Sequence, residues 1–427
     1  MFSPCTIRKL EKACFGFGFQ AEDTHRTKRA KTRNGSGKCR RARGGKWFLS
    51  REECPMYIAE FGVEEWMNTY ETRARHNVAE TCVESLTVKE LLTLVGNREE
   101  HLAALERTHL TYGDIPGSER LRGAISSLYR SRTAEDVLVT GGGIAANFLA
   151  LWSLTEPGDH VVALLPTYQQ LYSLPESFGA QVTRLFARAE NSFLPDLDAL
   201  RKAVSDKTKL IVLNYPNNPT GAKLDEALMK EIVAIADRCG AWILCDEIYR
   251  GLEHDAPYGT PSFVDLYDRA ISTGSVSKVY SLAGLRTGWL TGPRDFLRTC
   301  FQHRDYTTIS CGRLDDYLAT LALEHRAVIL ERNLPLVRTN AALLADWVAA
   351  EPRVSCLPPK AGTTALLRLD IPVSSEEFCR RLLEEAGALL VPGECFEIPY
   401  TARIGFAPKT ETLRDGVGAL SGFLKRL

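Results

Sequence analysis

Six short apolar runs, each long enough for one strand, recur between residues 137 and 273 and limit the folds open to this chain. The runs are Val137–Thr140, His160–Leu165, Val182–Phe186, Leu210–Asn214, Trp242–Cys245 and Ala270–Thr273. Helical patterns separate them, as in Leu228–Arg238, where the apolar residues recur on one face. Continuous apolar strands that alternate with helices indicate an α/β fold with a mostly parallel sheet covered on both faces. The ligand site of such a sheet lies at the carboxyl ends of its strands.

The pattern changes after about Gly312, so a second and smaller domain is expected. The segments that indicate it are a long helical stretch, two strand-like runs and a shorter helix: Asp315–Glu351, Val354–Arg368, Ala388–Val391 and Glu376–Glu385. A chain of 427 residues is also too long for one compact core. We therefore predict a large domain over residues 111–312 and a small α+β domain whose C-terminal part spans residues 313–427.

Residues 1–55 differ from the rest in charge, since they hold 14 Lys and Arg against 5 Asp and Glu. The remaining residues hold 39 against 48, so the zero net charge of the chain hides a basic tail on an acidic body. The tail has no apolar period, and a disordered segment is the first interpretation. Three others stay open: a nuclear-import or nucleic-acid patch, an organelle transit peptide, and a true start at Met56. That start would directly precede the first amphipathic helical pattern, Tyr57–Tyr70.

The length of the apolar runs and the spacing of the cysteines indicate which partners and which cellular compartment to expect. No run approaches the ~20 residues of a membrane span, so no membrane partner is expected. The 12 cysteines form no Cys-x-x-Cys pair, which favours free thiols in a reducing compartment. We expect a cytoplasmic protein, with delivery to mitochondria or the nucleus by the basic tail left open. Nucleic acid is not expected as a partner, because residues 1–55 show no helix-turn-helix pattern.

A lysine beside two hydroxyls, in Ser275-Val276-Ser277-Lys278, is followed eight residues later by Arg286. A lysine that forms a Schiff base with a phosphorylated aldehyde cofactor needs such neighbours. The amine would make the imine, while the hydroxyls and the forked guanidinium would hold the phosphate dianion. A solvated surface lysine is the alternative, and it is weakened because Lys278 is expected to end an apolar strand.

Two further motifs lie upstream of this lysine, each directly after an apolar run. Asp246 follows Trp242–Cys245, where an unpaired buried carboxylate would be costly and a protonated pyridine nitrogen would offset that cost. An aspartate that caps a turn is the alternative. The second motif is the Asn-Asn-Pro-Thr-Gly turn at residues 217–221, which follows Leu210–Asn214.

In this order, the three motifs resemble those of the fold-type I pyridoxal-phosphate enzymes, specifically the class I and II aminotransferases. The resemblance covers about residues 60–427. It implies a mostly parallel seven-stranded sheet in a large cofactor-binding domain, with residues 56–110 forming the N-terminal part of the small domain. It also implies pyridoxal 5′-phosphate as cofactor, and an amino acid and a 2-oxo acid as substrates.

The resemblance gives each motif residue a role. Lys278 would hold the cofactor and carry protons, and Asp246 would keep the pyridine nitrogen charged. Tyr249 would reach the phenolic oxygen of the cofactor, and Asn218 would bind both that oxygen and the substrate carboxylate. The phosphate would be held by Gly142, Gly143, Ile144, Ser275, Ser277 and Arg286. For the glycine run before the helical pattern, a plain tight turn is the alternative.

Three residues outside these motifs also match the family. Tyr168 would stack on the pyridine ring, although packing in the core would explain this tyrosine equally well. Arg403 would fork onto the substrate α-carboxylate. Tyr112 resembles the tyrosine that reaches the phosphate of the neighbouring subunit, which implies a homodimer.

One departure from the family lies at Asn77–Ser85, where a loop with glycine and proline is usual and this chain has neither. Because this loop covers the substrate, the preference for a side chain cannot be carried over. Together with Arg304–Ser310, which is expected to line the same mouth, the loop resembles the branch of capreomycidine-synthase-like enzymes and relatives that act on basic amino acids.

The expected function is an aminotransferase that moves the α-amino group of an amino acid to a 2-oxo acid. The same scaffold also supports a lyase, a cyclase or an oxidase acting on a basic amino acid such as arginine. A non-enzymatic regulator with an aminotransferase-like domain is the third alternative, which the basic tail suggests.

A protein that starts at Met56 should fold, dimerise, bind cofactor and turn over like the full-length chain. Residues 1–55 bury too little apolar surface to offset an ordering entropy of about 1–2 kcal/mol per residue. Thermal melts and steady-state rates of the two proteins, taken side by side, are the measurement. An insoluble or cofactor-free shortened protein would contradict this prediction.

Overall fold

The computed structural model describes residues 57–255 and 259–427, so the predictions about the basic tail lie outside the described residues. The strands are β1 His76–Asn77, β2 Val137–Thr140, β3 His160–Leu165, β4 Gln181–Phe186, β5 Thr208–Asn214, β6 Trp242–Asp246, β7 Ala270–Ser275, β8 Gly288–Thr291, β9 Val354–Cys356, β10 Thr364–Leu369, β11 Ala388–Leu389, β12 Val391–Pro392 and β13 Thr401–Gly405. The helices are α1 Gly62–Tyr70, α2 Val88–Val95, α3 Arg98–Glu106, α4 Glu119–Ser126, α5 Gly143–Leu154, α6 Gln170–Ser177, α7 Leu197–Ala203, α8 Glu226–Cys239, α9 Arg294–Arg304, α10 Arg313–Glu324, α11 Arg326–Ala350, α12 Ser375–Ala386 and α13 Thr410–Leu424. Within the described ranges, none of these helices has the length and apolar character needed to span a bilayer.

Seven strands form the large sheet, in the order β2-β8-β7-β6-β5-β3-β4. All neighbours are parallel except those of β8, which runs antiparallel to both β2 and β7. The mostly parallel seven-stranded sheet is therefore confirmed. Its register places Asn214 beside Asp246, and Asp246 beside Thr273, so the carboxyl ends of the three central strands lie side by side.

Alternate residues of the large sheet belong to two apolar cores, one on each face. In β3, Val161 packs into the core shared with α5, α6 and α9, whereas Val162 packs into the core shared with α8. The predicted helix Leu228–Arg238 is present as α8 and is slightly longer. It begins where the Asp225 side chain accepts a hydrogen bond from Leu228 N over 2.7 Å, and it ends at Gly240, whose φ is +67°.

A second sheet, in the order β12-β13-β10-β9, is antiparallel throughout and is built from the C-terminal part of the chain. The short strand β1 pairs in parallel with β11, so a segment that follows α1 is tied to this same part of the chain. The division of the chain at residues 55, 110 and 312 stays a prediction.

Two helices differ from the sequence prediction. The stretch Asp315–Glu351 is two helices rather than one, because α10 packs against α4 while α11 packs against α13, and the chain bends between them at His325. The first helix begins at Gly62 and not at Tyr57, since Gly62 N donates to the Gln169 side chain over 2.9 Å.

Candidate active site

The carboxyl ends of adjacent parallel strands open into a cavity of about 300 Å³. Asn214 ends β5, Asp246 ends β6, and both line the cavity. Ten of the site residues expected from the sequence line it: Gly143, Ile144, Tyr168, Asn218, Asp246, Tyr249, Ser277, Lys278, Arg286 and Arg403. Gly142 and Ser275 do not line the cavity but lie next to the lining residues Arg286 and Ser277. Tyr112 does not line the cavity either.

Lys278 lies in a turn three residues after β7, so the expectation that it ends the strand was wrong. The strand stops at Ser275, whose hydroxyl accepts a hydrogen bond from Ser277 N over 3.1 Å and bends the backbone. The amine Nζ donates to Thr81 Oγ1 over 2.7 Å and approaches Cys82 Sγ at 3.3 Å. The turn thus points the lysine away from the sheet and into the cavity.

Glu80 forms an ion pair with this lysine, with 3.8 Å between Glu80 Oε1 and Lys278 Nζ. Burial acts against the charged carboxylate, but the Lys278 ammonium and the hydrogen bonds from Cys82 and Thr81 together outweigh burial and lower the pKa of Glu80 to about 2. Burial likewise acts against the ammonium, but the neighbouring thiol, phenol and carboxylate raise the pKa of Lys278. The three residues 80–82 were not among the expected site residues, although the sequence did identify their loop as unusual.

The carboxyl of Asp246 is buried, with 5% of the residue exposed. Its oxygens accept hydrogen bonds from Asn147 Nδ2 over 2.8 Å and from Ile248 N over 3.1 Å. Within the described ranges no cationic side chain pairs with it, and burial raises the pKa of Asp246 to about 6. Thr273 donates to Asn147 Oδ1 over 2.6 Å, which fixes the amide so that its N–H group faces the carboxylate.

The opposite end of the cavity combines a helix N-terminus with a guanidinium. Gly142 caps α5 with a φ of +92°, and Gly143 is the first residue of that helix. The positive φ of Gly142 favours glycine at this position, and a Cβ there would lie 2.7 Å from Arg286 Nη2, so the arginine would have to shift. Arg286 Nη1 donates to Ala283 O over 2.9 Å. Free backbone N–H groups and a forked cation at one corner suit a phosphate dianion.

The buried carboxylate, the lysine amine and the guanidinium corner of this cavity fit pyridoxal phosphate. Asp246 is a buried carboxylate that lacks a cation, and a protonated pyridine nitrogen would supply one. Lys278 presents a primary amine to the same cavity, and Arg286 lies at the corner where a phosphate would bind. Tyr249, also buried at the cavity wall, has a pKa that burial raises, so its phenol is a proton donor.

Arg403 on β13 and Asn218 meet on the substrate side of the cavity. Arg403 Nη1 donates to Asn218 Oδ1 over 3.3 Å, and Nη2 donates to Ala79 O over 3.0 Å. Arg403 as a whole is 3% exposed, and burial lowers the pKa of its guanidinium. Nη1 and Nη2 each carry a second N–H group, so donors remain for a carboxylate ligand.

One face of α1 and the turn after it forms a wall that the sequence did not predict. Glu64, Met67 and Glu71 line the cavity, and Tyr168 donates its hydroxyl proton to Glu64 Oε1 over 2.6 Å. The Tyr168 ring also packs on Phe61, with 4.8 Å between the ring centroids. The spacing of three and four residues along a helix was the available signal, but only the apolar residues of this helix were used in the prediction.

The expectation that Arg304–Ser310 lines the same mouth was wrong for this chain taken alone. Arg304 is buried and donates hydrogen bonds to Val139 O over 2.6 Å and to Ile309 O over 3.1 Å. Its guanidinium therefore binds backbone carbonyl groups and not a ligand. Thr307 and Thr308 line a neighbouring cavity, which shares only Ile144 with the main one.

The fold and the cavity together define a pyridoxal-phosphate enzyme of fold type I. The sequence model described as "Aminotransferase class I and II" matches residues 78–420, so the chain belongs to the class I and II aminotransferase family. The expected family, fold, cofactor and enzymatic character are thereby confirmed, and a non-enzymatic regulator is not favoured.

Three relatives illustrate the similarity. Capreomycidine synthase of Streptomyces vinaceus is 34% identical over 372 residues, which is 86% of this chain and 94% of that protein. The crystal structure of a PLP-dependent aminotransferase from Streptococcus suis is 43% identical, with a TM-score of 0.84, over 87% of this chain and 99% of that one. A structure of the PLP-dependent cyclase OrfR is 29% identical, with a TM-score of 0.80, over 87% of this chain and 98% of that one.

The substitution Asp246→Asn should leave cofactor bound and lower turnover at least a hundredfold. A neutral amide cannot keep the pyridine nitrogen charged, and the loss of such a charge-assisted contact is worth about 3 kcal/mol. Absorbance of the bound cofactor and steady-state rates are the measurements. Asp237→Asn, on the exposed side of α8, is the matched control and should keep wild-type rates. A normal rate for the Asp246 variant would contradict the role of this residue in keeping the pyridine nitrogen charged.

Proposed function

We propose that this chain is a homodimeric, cytoplasmic aminotransferase of amino acid metabolism, with Lys278 as the residue that links the cofactor and moves protons. The observation that carries the proposal is the meeting of Lys278, Asp246 and Arg403 in one cavity. These residues come from separate parts of the chain. Asp246 lacks a counter-cation, Arg403 keeps N–H donors, and Lys278 presents a primary amine, so one cofactor–substrate pair would use all three.

The roles follow from chemistry and contacts. Bound pyridoxal phosphate supplies the aldehyde carbon that takes up the amino group and a ring that withdraws electrons from it. Arg403 and Asn218 hold the substrate α-carboxylate, through the second N–H groups on Nη1 and Nη2 of the guanidinium and the amide beside them. Asp246 keeps the pyridine nitrogen charged, and Arg286 binds the phosphate.

Lys278 acts as the base and the acid. Its Nζ would take the proton from the substrate Cα and then deliver it to the cofactor carbon that takes up the amino group, which a flexible primary amine can do. Thr81 Oγ1, 2.7 Å from Nζ, orients the amine. Glu80 stabilises the ammonium form of the lysine after the proton has been taken up.

A homodimer is supported by large apolar side chains that are exposed on the surface. Tyr112 is 71% exposed, although the family resemblance gives it a phosphate to bind. The other large apolar side chains exposed on the described residues include Leu110, Ile144, Tyr306 and Ile309. Of these, Ile144 lines both the main and the neighbouring cavity, so a partner subunit packed on Ile144 would also cover an edge of the site.

The cytoplasmic assignment is supported by the cysteines. The described residues contain eight of them, and all eight are free thiols. Free and buried cysteines are typical of a reducing compartment.

A second candidate function is cyclisation or elimination on a basic amino acid, without a net transfer of the amino group. The similarity to the PLP-dependent cyclase OrfR and to capreomycidine synthase favours it. The cofactor-binding residues would serve both reactions equally, so the two candidates differ in whether a 2-oxo acid acceptor is required.

Purified protein should form a 2-oxo acid from an amino acid only when a second 2-oxo acid is present. The measurement is product mass after incubation with the twenty amino acids and ornithine, each with and without 2-oxoglutarate or pyruvate. Lys278→Ala is the inactive control, and borohydride should fix the cofactor to the peptide containing Lys278. Ammonia or a cyclic product formed without an acceptor would contradict transamination and support the second candidate.

A mixture of Tyr112→Phe and Lys278→Ala chains should contain hybrid dimers with one restored site. If Tyr112 reaches the phosphate of the partner subunit, one site of the hybrid carries both intact residues. The measurement is cofactor affinity and rate of the mixture against each parent alone, with Tyr57→Phe, another exposed tyrosine, as the control in place of Tyr112→Phe. Demonstrated hybrids that show no gain would count against a shared site.

A further inference from the structure

The cavity carries carboxylates that the proposed function does not use, and we propose that they receive a cationic group on the substrate side chain. On this assignment, which rests on the proposed function, Glu64 and Glu71 bind the guanidinium or ammonium end of a basic amino acid. Both residues line the cavity, Glu64 from α1 and Glu71 from the turn that follows it.

The charges that line the cavity divide into those with an assigned partner and those without. Arg286 faces the phosphate, Arg403 faces the substrate α-carboxylate, and Lys278 forms the covalent link. Asp246 takes the pyridine nitrogen. Glu80 pairs with Lys278, so two lining carboxylates remain: Glu64 and Glu71. No other Lys or Arg among the described residues lines the cavity to balance them.

Arg403 is an independent indication that a charged ligand belongs here. Arg403 is buried, and its Nη1 and Nη2 each donate one N–H group, to Asn218 Oδ1 and to Ala79 O. The second N–H group on each of these nitrogens requires an anionic or polar ligand atom. A cation on this wall and carboxylates on the α1 wall therefore fit a substrate with one anionic and one cationic end.

Glu64 is held in place and keeps one oxygen free. Its Oε1 accepts the Tyr168 hydroxyl proton over 2.6 Å, whereas Oε2 accepts no hydrogen bond from the described residues. The side chain is half-buried, so its charge is less screened than that of a surface carboxylate. A guanidinium or ammonium donor at Oε2 would complete the hydrogen bonding of this carboxylate.

Glu71 extends the same wall along the cavity. It lies seven residues after Glu64, about two helical turns or ~10 Å, with Met67 between them. An aliphatic stem can pack on the methionine while the cationic head reaches a carboxylate. Glu71 Oε1 accepts from Asn77 Nδ2 over 3.3 Å, and Oε2 accepts no hydrogen bond from the described part of the chain.

The α1 helix is attached to two other segments of the chain. Trp66 Nε1 donates to Leu390 O over 2.8 Å, which ties α1 to the segment between β11 and β12. Gln169 bridges the start of the helix, since it accepts from Gly62 N over 2.9 Å and donates to Glu60 O over 2.7 Å. The helix that carries Glu64 is thus anchored, which lowers the entropic cost when Glu64 binds a cation.

Glu80 has a different role, because its Oε1 already accepts from Thr81 N over 2.7 Å and from Cys82 N over 2.9 Å. Its charge pairs with Lys278. Even so, it adds to the negative potential of the cavity, which repels an aspartate or glutamate side chain. The arrangement therefore selects for a cation and against an anion at the distal end of the substrate.

The test uses the full-length holoenzyme and the absorbance of its bound cofactor, titrated with amino acids. Arginine and citrulline have nearly the same shape and differ in charge, as do lysine and norleucine. We expect at least tenfold tighter binding of arginine than of citrulline, or of lysine than of norleucine, and the weakest response to glutamate.

Glu64→Gln should weaken binding of the preferred cation about tenfold and leave its neutral analogue within about twofold, since glutamine can still accept the Tyr168 proton. Glu71→Gln should have the same selective effect, and the exposed Glu65→Gln on the same helix should have none.

The outcomes separate the two proposals. Equal affinity for the charged and neutral members of both pairs, or an equal loss of both in the Glu64 and Glu71 variants, would overturn the cation subsite and leave the proposed function intact. A cofactor spectrum that responds to no amino acid would overturn the proposed function, and the subsite with it. The comparison within the wild-type protein needs no variant, so it holds even if a substitution weakens the fold.

Discussion

A carboxylate buried at the end of a central strand is the constraint on which the rest of this site depends. Asp246 lies between β5 and β7, where water cannot solvate it, and two hydrogen bonds only partly replace that solvation. Burial consequently raises its pKa to about 6, which marks an ion that lacks its counterion. A cofactor with a cationic ring nitrogen removes this deficit, so the energetics of the sheet and the binding of the ligand are coupled.

The remaining contacts of the site determine how the side chains around Asp246 are oriented. Thr273 on β7 orients Asn147, which in turn holds the Asp246 carboxylate, so the register of the sheet decides where the carboxylate faces. On the other side of the cavity, the 77–85 loop is tied to the lysine through Thr81 and to the arginine of β13 through Ala79. A change in this loop would therefore reach both the proton carrier and the carboxylate clamp.

The sequence predicted most of the fold and the cofactor half of the site for a physical reason. Buried parallel strands are continuous apolar runs, and the polar residues that end them stand out against those runs. Strand β8 was missed because Gly288–Thr291 is short, mixed in composition and adjacent to the Arg286 motif. The bend at His325 was missed because it depends on which helices α10 and α11 pack against, and local periodicity carries no such information.

The substrate half could not be predicted in the same way. Glu64 and Tyr168 are 104 residues apart in sequence, and their hydrogen bond exists only because α1 folds back across the strand ends. On its own, the pattern of α1 is that of an amphipathic helix whose polar face meets solvent. In the folded chain, part of that polar face meets the cavity instead, and a carboxylate that would be unremarkable on a surface becomes an unpaired charge. Because the cofactor contacts come from the sheet and the side-chain contacts come from α1, substrate preference can vary within this family while the chemistry at the lysine stays the same.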